Sequence, residues 1–261
     1  MPPSRLRRPL IPRPVSECTT HDMEFSDMTT RTTRTRRNFL ALSAAALAGV
    51  GAAGCSTLGI GGDSSTASGP SKAPKPINKA RTLVAYFSMP ETDDPDNMTE
   101  DEENSTHVVD GKVLGNTQHV AQIIGQRTGS ELFRIETAQN LPRDHGALED
   151  LALEWQEADE RPELKSKIRN FDDYDTVFIG YPIWWYEMPM PIHTFLEEHD
   201  FKGKTVILFT THGGNGLSGT VETVTEKLPD ATVVSNGFTI SRDDMDEAEG
   251  QVREWLTSVS R

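Results

Sequence analysis

Between residues 80 and 261, strand-length apolar runs alternate five times with stretches of helical period, and no other feature of the chain restricts its fold so severely. The predicted strands lie at 82–87, 131–135, 176–180, 205–209 and 231–234. Between and after them, Val120, Ile123 and Ile124, then Leu148, Leu151 and Trp155, then Ile192, Phe195 and Leu196 mark helical faces. Leu217, Val221, Val224 and Leu228 mark a fourth, and Met245, Ala248, Val252, Trp255 and Leu256 a closing one. Strict βα alternation implies an α/β fold, a doubly wound parallel sheet with helices on both faces. Such a sheet takes its ligands at the carboxyl ends of its strands, where the strand order reverses.

The first 79 residues are of another kind. Arg36 and Arg37 precede Asn38-Phe39-Leu40 and a mild apolar run from Ala41 to Gly54, which reads as a twin-arginine export signal over 1–54. That run is short of the roughly 20 residues that span a bilayer. It ends at Ala52-Ala53-Gly54-Cys55, which resembles the cleavage box of bacterial lipoproteins and makes Cys55 a lipidation site; an ordinary cleavage near Ala53 is the alternative. Residues 55–79, rich in Gly, Ser, Pro and Lys, read as a flexible tether. The expected location is the outer face of the cytoplasmic membrane, reached by the twin-arginine route and held only by a lipid anchor. Met23 and Met28 are alternative starts.

The full chain carries 26 Lys+Arg against 40 Asp+Glu, and 8 basic and 4 acidic residues fall in the first 54. The remainder is therefore 18 − 36 = −18, which argues against nucleic acid or an anionic membrane surface as a partner. Cys18 and Cys55 are the only cysteines and both precede the domain, so it has no disulfide framework or cysteine metal site. His107, His119, His145 and His193 show no metal-ligand spacing, and no metal is expected.

Three loops follow the strands that flank a switch point. After the third predicted strand, Tyr181-Pro182-Ile183-Trp184-Trp185-Tyr186 gathers rings that either pack under a neighbouring loop or line a crevice for a flat ligand. After the fourth, Thr211-His212-Gly213-Gly214-Asn215-Gly216 is a glycine-rich turn whose backbone amides can approach a planar ligand or an anion. After the first, Ser88 is separated by residues 89–114 from Gly115-Asn116-Thr117, which opens a helix and suits a phosphate or serves as a plain cap.

Together with Leu83-Val84-Ala85-Tyr86-Phe87-Ser88, these segments resemble the flavodoxin family over about residues 80–261, apart from the insertion at 89–114. The resemblance implies a flavodoxin-like five-stranded parallel sheet of order 2-1-3-4-5 with FMN as cofactor. It places Ser88, Gly115, Asn116 and Thr117 around the phosphate. One flavin wall would come from Pro182, Ile183, Trp184, Trp185 and Tyr186, and the other from Thr211, His212, Gly213, Gly214 and Asn215.

The insertion holds nine acidic residues and one lysine, so beside a phosphate its carboxylates are expected to point outward. It reads as a solvated loop, a lid or a docking surface for a basic partner. Three functions remain: an electron carrier with a redox partner protein, a flavin-dependent NAD(P)H:quinone-type reductase, or a flavin-free binding module on the same fold. For the reductase, a quinone-like substrate would sit beside Trp184, Trp185 and Tyr186, with His212 or Tyr186 as proton donor. The catalytic residues, the donor and acceptor, and the oligomeric state stay open.

Overall fold

The computed structural model describes residues 81–259. The expected export signal, the tether and Cys55 lie outside the described residues. The chain runs β1 (Thr82–Phe87), α1 (Glu100–Ser105), β2 (Thr106–Val109), β3 (Lys112–Gly115), α2 (Asn116–Thr128), β4 (Glu131–Ile135) and α3 (His145–Glu157). It continues through β5 (Thr176–Pro182), α4 (Met190–Glu198), β6 (Thr205–His212), α5 (Thr220–Lys227), β7 (Thr232–Ser241) and α6 (Ala248–Val259).

Five strands form one sheet in the order β4-β1-β5-β6-β7, and every pairing in it is parallel. Numbered by their place in the sheet, this is the expected 2-1-3-4-5 arrangement, with the reversal between β1 and β5. The central strands are buried on both faces, which is why they read as continuous apolar runs rather than as alternation. On one face Val84, Phe178 and Phe209 pack with Val120 and Ile124 of α2 and Val252 and Trp255 of α6. On the other, Leu83, Val177 and Leu208 pack with Ile192 and Phe195 of α4 and Val224 of α5.

Three strands run further than the periodicity indicates. β5 continues through Pro182, which pairs only with Thr211 of β6, because the pairing with β1 ends at Gly180. A proline's missing N–H is tolerated at such an unpaired margin. β7 continues through Ser235-Asn236-Gly237, a sequence with the look of a turn, by shifting its register against β6 between Ile207 and Phe209. A Cβ on Gly237 would lie 3.0 Å from the Leu208 carbonyl oxygen, so only glycine allows this crossing without displacement. The shift brings Ser241 opposite His212 and delivers Arg242 to the ligand end of the sheet.

The insertion is not a structureless loop. Thr99 and Glu102 close a capping box on α1, and β2 and β3 form an antiparallel hairpin. Asp110 and Gly111, at φ 51° and 73°, make its two-residue turn. The ring of His107 on the hairpin lies 4.5 Å from that of His119 on α2, fixing the hairpin to the helix. Most insertion carboxylates are exposed, but Glu91 is not: only 5% of it is accessible. The expectation that all of them face outward fails there, because His145 supplies a partner 2.9 Å from its carboxylate. Among the described residues no helix is long and apolar enough to cross a membrane.

Candidate functional site

The carboxyl ends of β1, β5 and β6 open into a cavity of about 330 Å³. Its floor is polar: the hydroxyls of Thr117 and Thr211, both nearly inaccessible, lie 2.8 Å apart and join the α2 entry to the end of β6. Its volume falls at the small end of the range for small-molecule sites.

One corner is built around the first turn of α2. Gly115 has extended backbone, and its N–H donates to Gln118 Oε1 at 3.4 Å. Gly115 has no side chain with which to cap the helix, and Ser88 caps it instead, its hydroxyl accepting from the Gln118 N–H at 3.2 Å. A Cβ on Gly115 would lie 2.1 Å from Ser88 Oγ, so glycine is required by close approach rather than by φ. The Ser88 hydroxyl proton stays free to donate. Arg134 donates from Nη2 to the Ser88 carbonyl at 2.9 Å and places a guanidinium behind the loop. Asn116 donates to the Asn104 carbonyl at 3.0 Å, while its Oδ1 is buried without a partner.

The aromatic wall is a tight turn. Trp184 and Glu187 exchange backbone hydrogen bonds of 3.0 and 2.9 Å, with Trp185 at φ 47° and Tyr186 at φ 65° between them. Two consecutive non-glycine residues in the left-handed region cost roughly 1–2 kcal/mol each. The strain is held by side contacts: Trp185 Nε1 donates to the Glu149 carbonyl at 3.0 Å, and Ser218 donates to the Tyr186 carbonyl at 2.6 Å. The result separates the two tryptophans. Trp184 is half-buried and meets Phe87 edge-on at 5.3 Å, whereas Trp185 and Tyr186 are exposed at the rim. Tyr181 is wholly internal, donating to Thr220 Oγ1 at 2.7 Å; burial raises its pKa.

The opposite wall follows β6. The Gly214 N–H donates to His212 Nδ1 at 2.8 Å, which leaves the ring proton on Nε2. Burial lowers the His212 pKa against the opposing pull of Asp244, so the neutral ring predominates near neutrality. The Arg242 guanidinium lies about 3.3 Å from where a Gly213 Cβ would stand.

Twelve of the fourteen candidate ligand residues therefore share one cavity: Ser88, Asn116 and Thr117; Pro182 through Tyr186; and Thr211, His212, Gly213 and Asn215. Gly115 lies behind Ser88, and Gly214 supports His212, so these two shape the site without lining it. Sequence patterns did not reveal the side formed by Glu91, Asn104 and Ser105 of the insertion with His145, Leu148 and Glu149 of α3, or Arg242 at the mouth. The insertion is fastened there by Glu91 to His145 at 2.9 Å and Asp93 to Arg143 at 3.0 Å. Among the described residues no group of three or more His, Cys, Asp or Glu is arranged to hold a metal ion.

The family model described as flavodoxin matches residues 108–259, beginning inside the inserted hairpin. The chain is similar to a candidate flavoprotein from Bacteroides eggerthii DSM 20697, with 28% identity, a TM-score of 0.51, and coverage of 69% of this chain and 98% of that one. It is also similar to a candidate flavoprotein from Bacteroides uniformis ATCC 8492, with 25% identity, a TM-score of 0.52, and coverage of 69% and 99%. A flavoprotein in complex with FMN from Lactobacillus acidophilus NCFM matches at 21% identity and a TM-score of 0.45, over 66% and 98% of the two chains, too distant to bear on the ligand here. No curated protein sequence matches the chain.

Proposed function

The chain belongs to the flavodoxin family, and from that premise we propose that it binds FMN in the cavity above β1, β5 and β6 and passes electrons through it. The observation that carries the reading is the convergence of an anion-suited helix entry, a wall of rings and a glycine-rich turn on one cavity at the switch point.

The residues present suit that cofactor. Ser88 keeps a hydroxyl proton for a phosphate oxygen, and the α2 entry contributes its positive end. The unpartnered Asn116 Oδ1 is an acceptor for a ribityl hydroxyl. Trp184, Trp185 and Tyr186 provide ring surface on one side, and His212, Gly213 and Asn215 a thin polar edge on the other. Bound FMN would supply one- and two-electron redox chemistry, and these groups would hold it and limit water's access to it.

Trp184 and Trp185 respond differently to truncation. Trp185→Ala is expected to weaken FMN binding by about tenfold, the worth of one stacked ring, and to cost only about 1 kcal/mol of stability, because the ring is exposed and the fold loses chiefly its hydrogen bond to the Glu149 carbonyl. Trp184→Ala is expected to weaken FMN binding and also to destabilise the fold by about 3 kcal/mol, since its ring packs on Phe87 and the core. Parallel FMN titrations and thermal melts separate the two; equal melting losses would contradict the assignment.

Arg242 favours a second reading. It is exposed at the cavity mouth and has no ion-pair partner among the described residues, which suits an anionic hydride donor such as NAD(P)H in a quinone-type reductase. Reductive titration of the FMN-loaded protein, followed by turnover assays with a nicotinamide donor and a quinone, divides the two. Reversible reduction without turnover supports the carrier, and sustained turnover supports the enzyme. A protein that takes up no FMN would instead be a flavin-free module.

We also propose twin-arginine export and lipid anchoring at Cys55, on the strength of Arg36-Arg37 and the box ending at that cysteine. Membrane fractionation tests it: Cys55→Ser should release the protein to the soluble fraction, and unchanged membrane retention would count against the anchor.

A further inference from the structure

The Glu91–His145 pair borders the corner of the cavity assigned to phosphate. Glu91 follows Ser88 by three residues, and its N–H donates to Ser105 Oγ at 3.2 Å. The neighbouring Asn104 carbonyl accepts from Asn116, so this segment of the insertion is tied to the α2 entry itself. Glu91 Oε2 lies 2.9 Å from His145 Nδ1, and both residues line the cavity. Resting on the FMN reading above, we propose that His145 is a cation serving the cofactor phosphate, with buried Glu91 as its counter-charge, so that FMN affinity depends on the proton this pair carries.

The electrostatics follow from charge counting. With its proton, the pair is neutral overall and presents an imidazolium; without it, a carboxylate stands beside the anion's corner and repels it. Other charges do not remove this dependence. Asp93 of the insertion is already paired with Arg143, and the Arg134 guanidinium, which donates to the Ser88 carbonyl, keeps its charge throughout the titration of the pair and so contributes equally to both of its states. Asp101 on α1 acts on both members of the pair, and the half-exposed Glu149 on α3 lies 3.3 Å from His145 Nε2; these charges add a constant background and leave the one-charge difference that the proton makes.

Burial raises the Glu91 pKa, and the His145 hydrogen bond only partly opposes it. For His145, burial alone would lower the pKa, but the Glu91 hydrogen bond and the charges of Glu91 and Glu149 together raise it. Both groups thus hold protons to higher pH than usual. FMN affinity is greatest below the titration of the pair and falls as pH rises through it, by at most about tenfold per pH unit.

The test uses the full-length protein, stripped of flavin and titrated with FMN and with riboflavin, which has no phosphate, from about pH 6 to about pH 9. The wild type should lose FMN affinity as pH rises across this range while riboflavin affinity stays flat. Glu91→Gln should flatten the FMN profile and tighten FMN binding by about tenfold at the alkaline end, where the wild type carries a bare carboxylate. His145→Gln should weaken FMN binding by about tenfold at the acid end of this range, where the wild type carries the imidazolium, and leave riboflavin unchanged. The ionisation of the phosphate itself, near pH 6, is common to all variants and cancels in the comparison. Independently, the His145 ring resonance should titrate at higher pH with FMN bound than with riboflavin. Coincident FMN and riboflavin profiles in the wild type, or weaker FMN binding in Glu91→Gln than in the wild type at the alkaline end, would overturn the assignment while leaving FMN binding intact. Failure to take up either flavin would remove the FMN reading itself, and this assignment with it.

Discussion

Gly180→Ala should destabilise the protein by about 3 kcal/mol, at the upper end of what overpacking a core costs. The cause is a ring rather than the backbone. Gly180 lies in the middle of the central strand β5, and its neighbour across the ladder on β6 is Phe209, which is fully buried. A Cβ on Gly180 would stand 2.0 Å from Phe209 Cζ, so the ring must leave a packed layer that includes Phe178 and Trp255. Chemical denaturation measures the loss, and Phe209→Leu provides the control. In the double variant the smaller side chain should recover a large part of what Gly180→Ala removes, a coupling of the kind contacting residues show. Additive losses would place the cause elsewhere.

Gly115→Ala acts on the ligand more than on the fold. The backbone at Gly115 is extended and open to any residue, but the new methyl group would stand 2.1 Å from Ser88 Oγ and displace it. Ser88 would then lose the Gln118 N–H, which uncaps α2 at a cost of about 1 kcal/mol. It would also lose its place beside the phosphate, and losing one charge-assisted hydrogen bond there weakens FMN by at least about tenfold. Riboflavin, with no phosphate to hold, should suffer much less. An FMN titration of Gly115→Ala indistinguishable from wild type would show that this corner does not hold the phosphate.

The sheet was legible because parallel strands covered on both faces must be apolar throughout, and the intervening helices carry a clear 3.6-residue period. The three loops were legible for a related reason: the ends of β1, β5 and β6 are fixed once the strand order is known, and their unusual residues stand directly after them. The sequence signals for the insertion were present, in the Thr99-to-Glu102 capping box and the Asp110-Gly111 turn, but a dense acidic run with strands of four residues resembles solvated loop. Glu91 could not be singled out, since its burial depends on a partner 54 residues away. Arg242 was hidden by β7, whose Ser235-Asn236-Gly237 segment looks like a strand end and becomes a register shift only against Leu208. Leu148 of α3 marked a helical face and proved to line the cavity, because no helical period distinguishes a face packed on the sheet from one that borders a ligand space.

Titration of the flavin-free protein with FMN, followed by fluorescence, decides whether the cavity is a flavin site. Saturation is expected at one FMN per chain, with quenching of both the flavin emission and the tryptophan emission as Trp184 and Trp185 come into contact with the ring. An unsaturable response, or saturation that leaves tryptophan emission unchanged, would contradict the flavin reading.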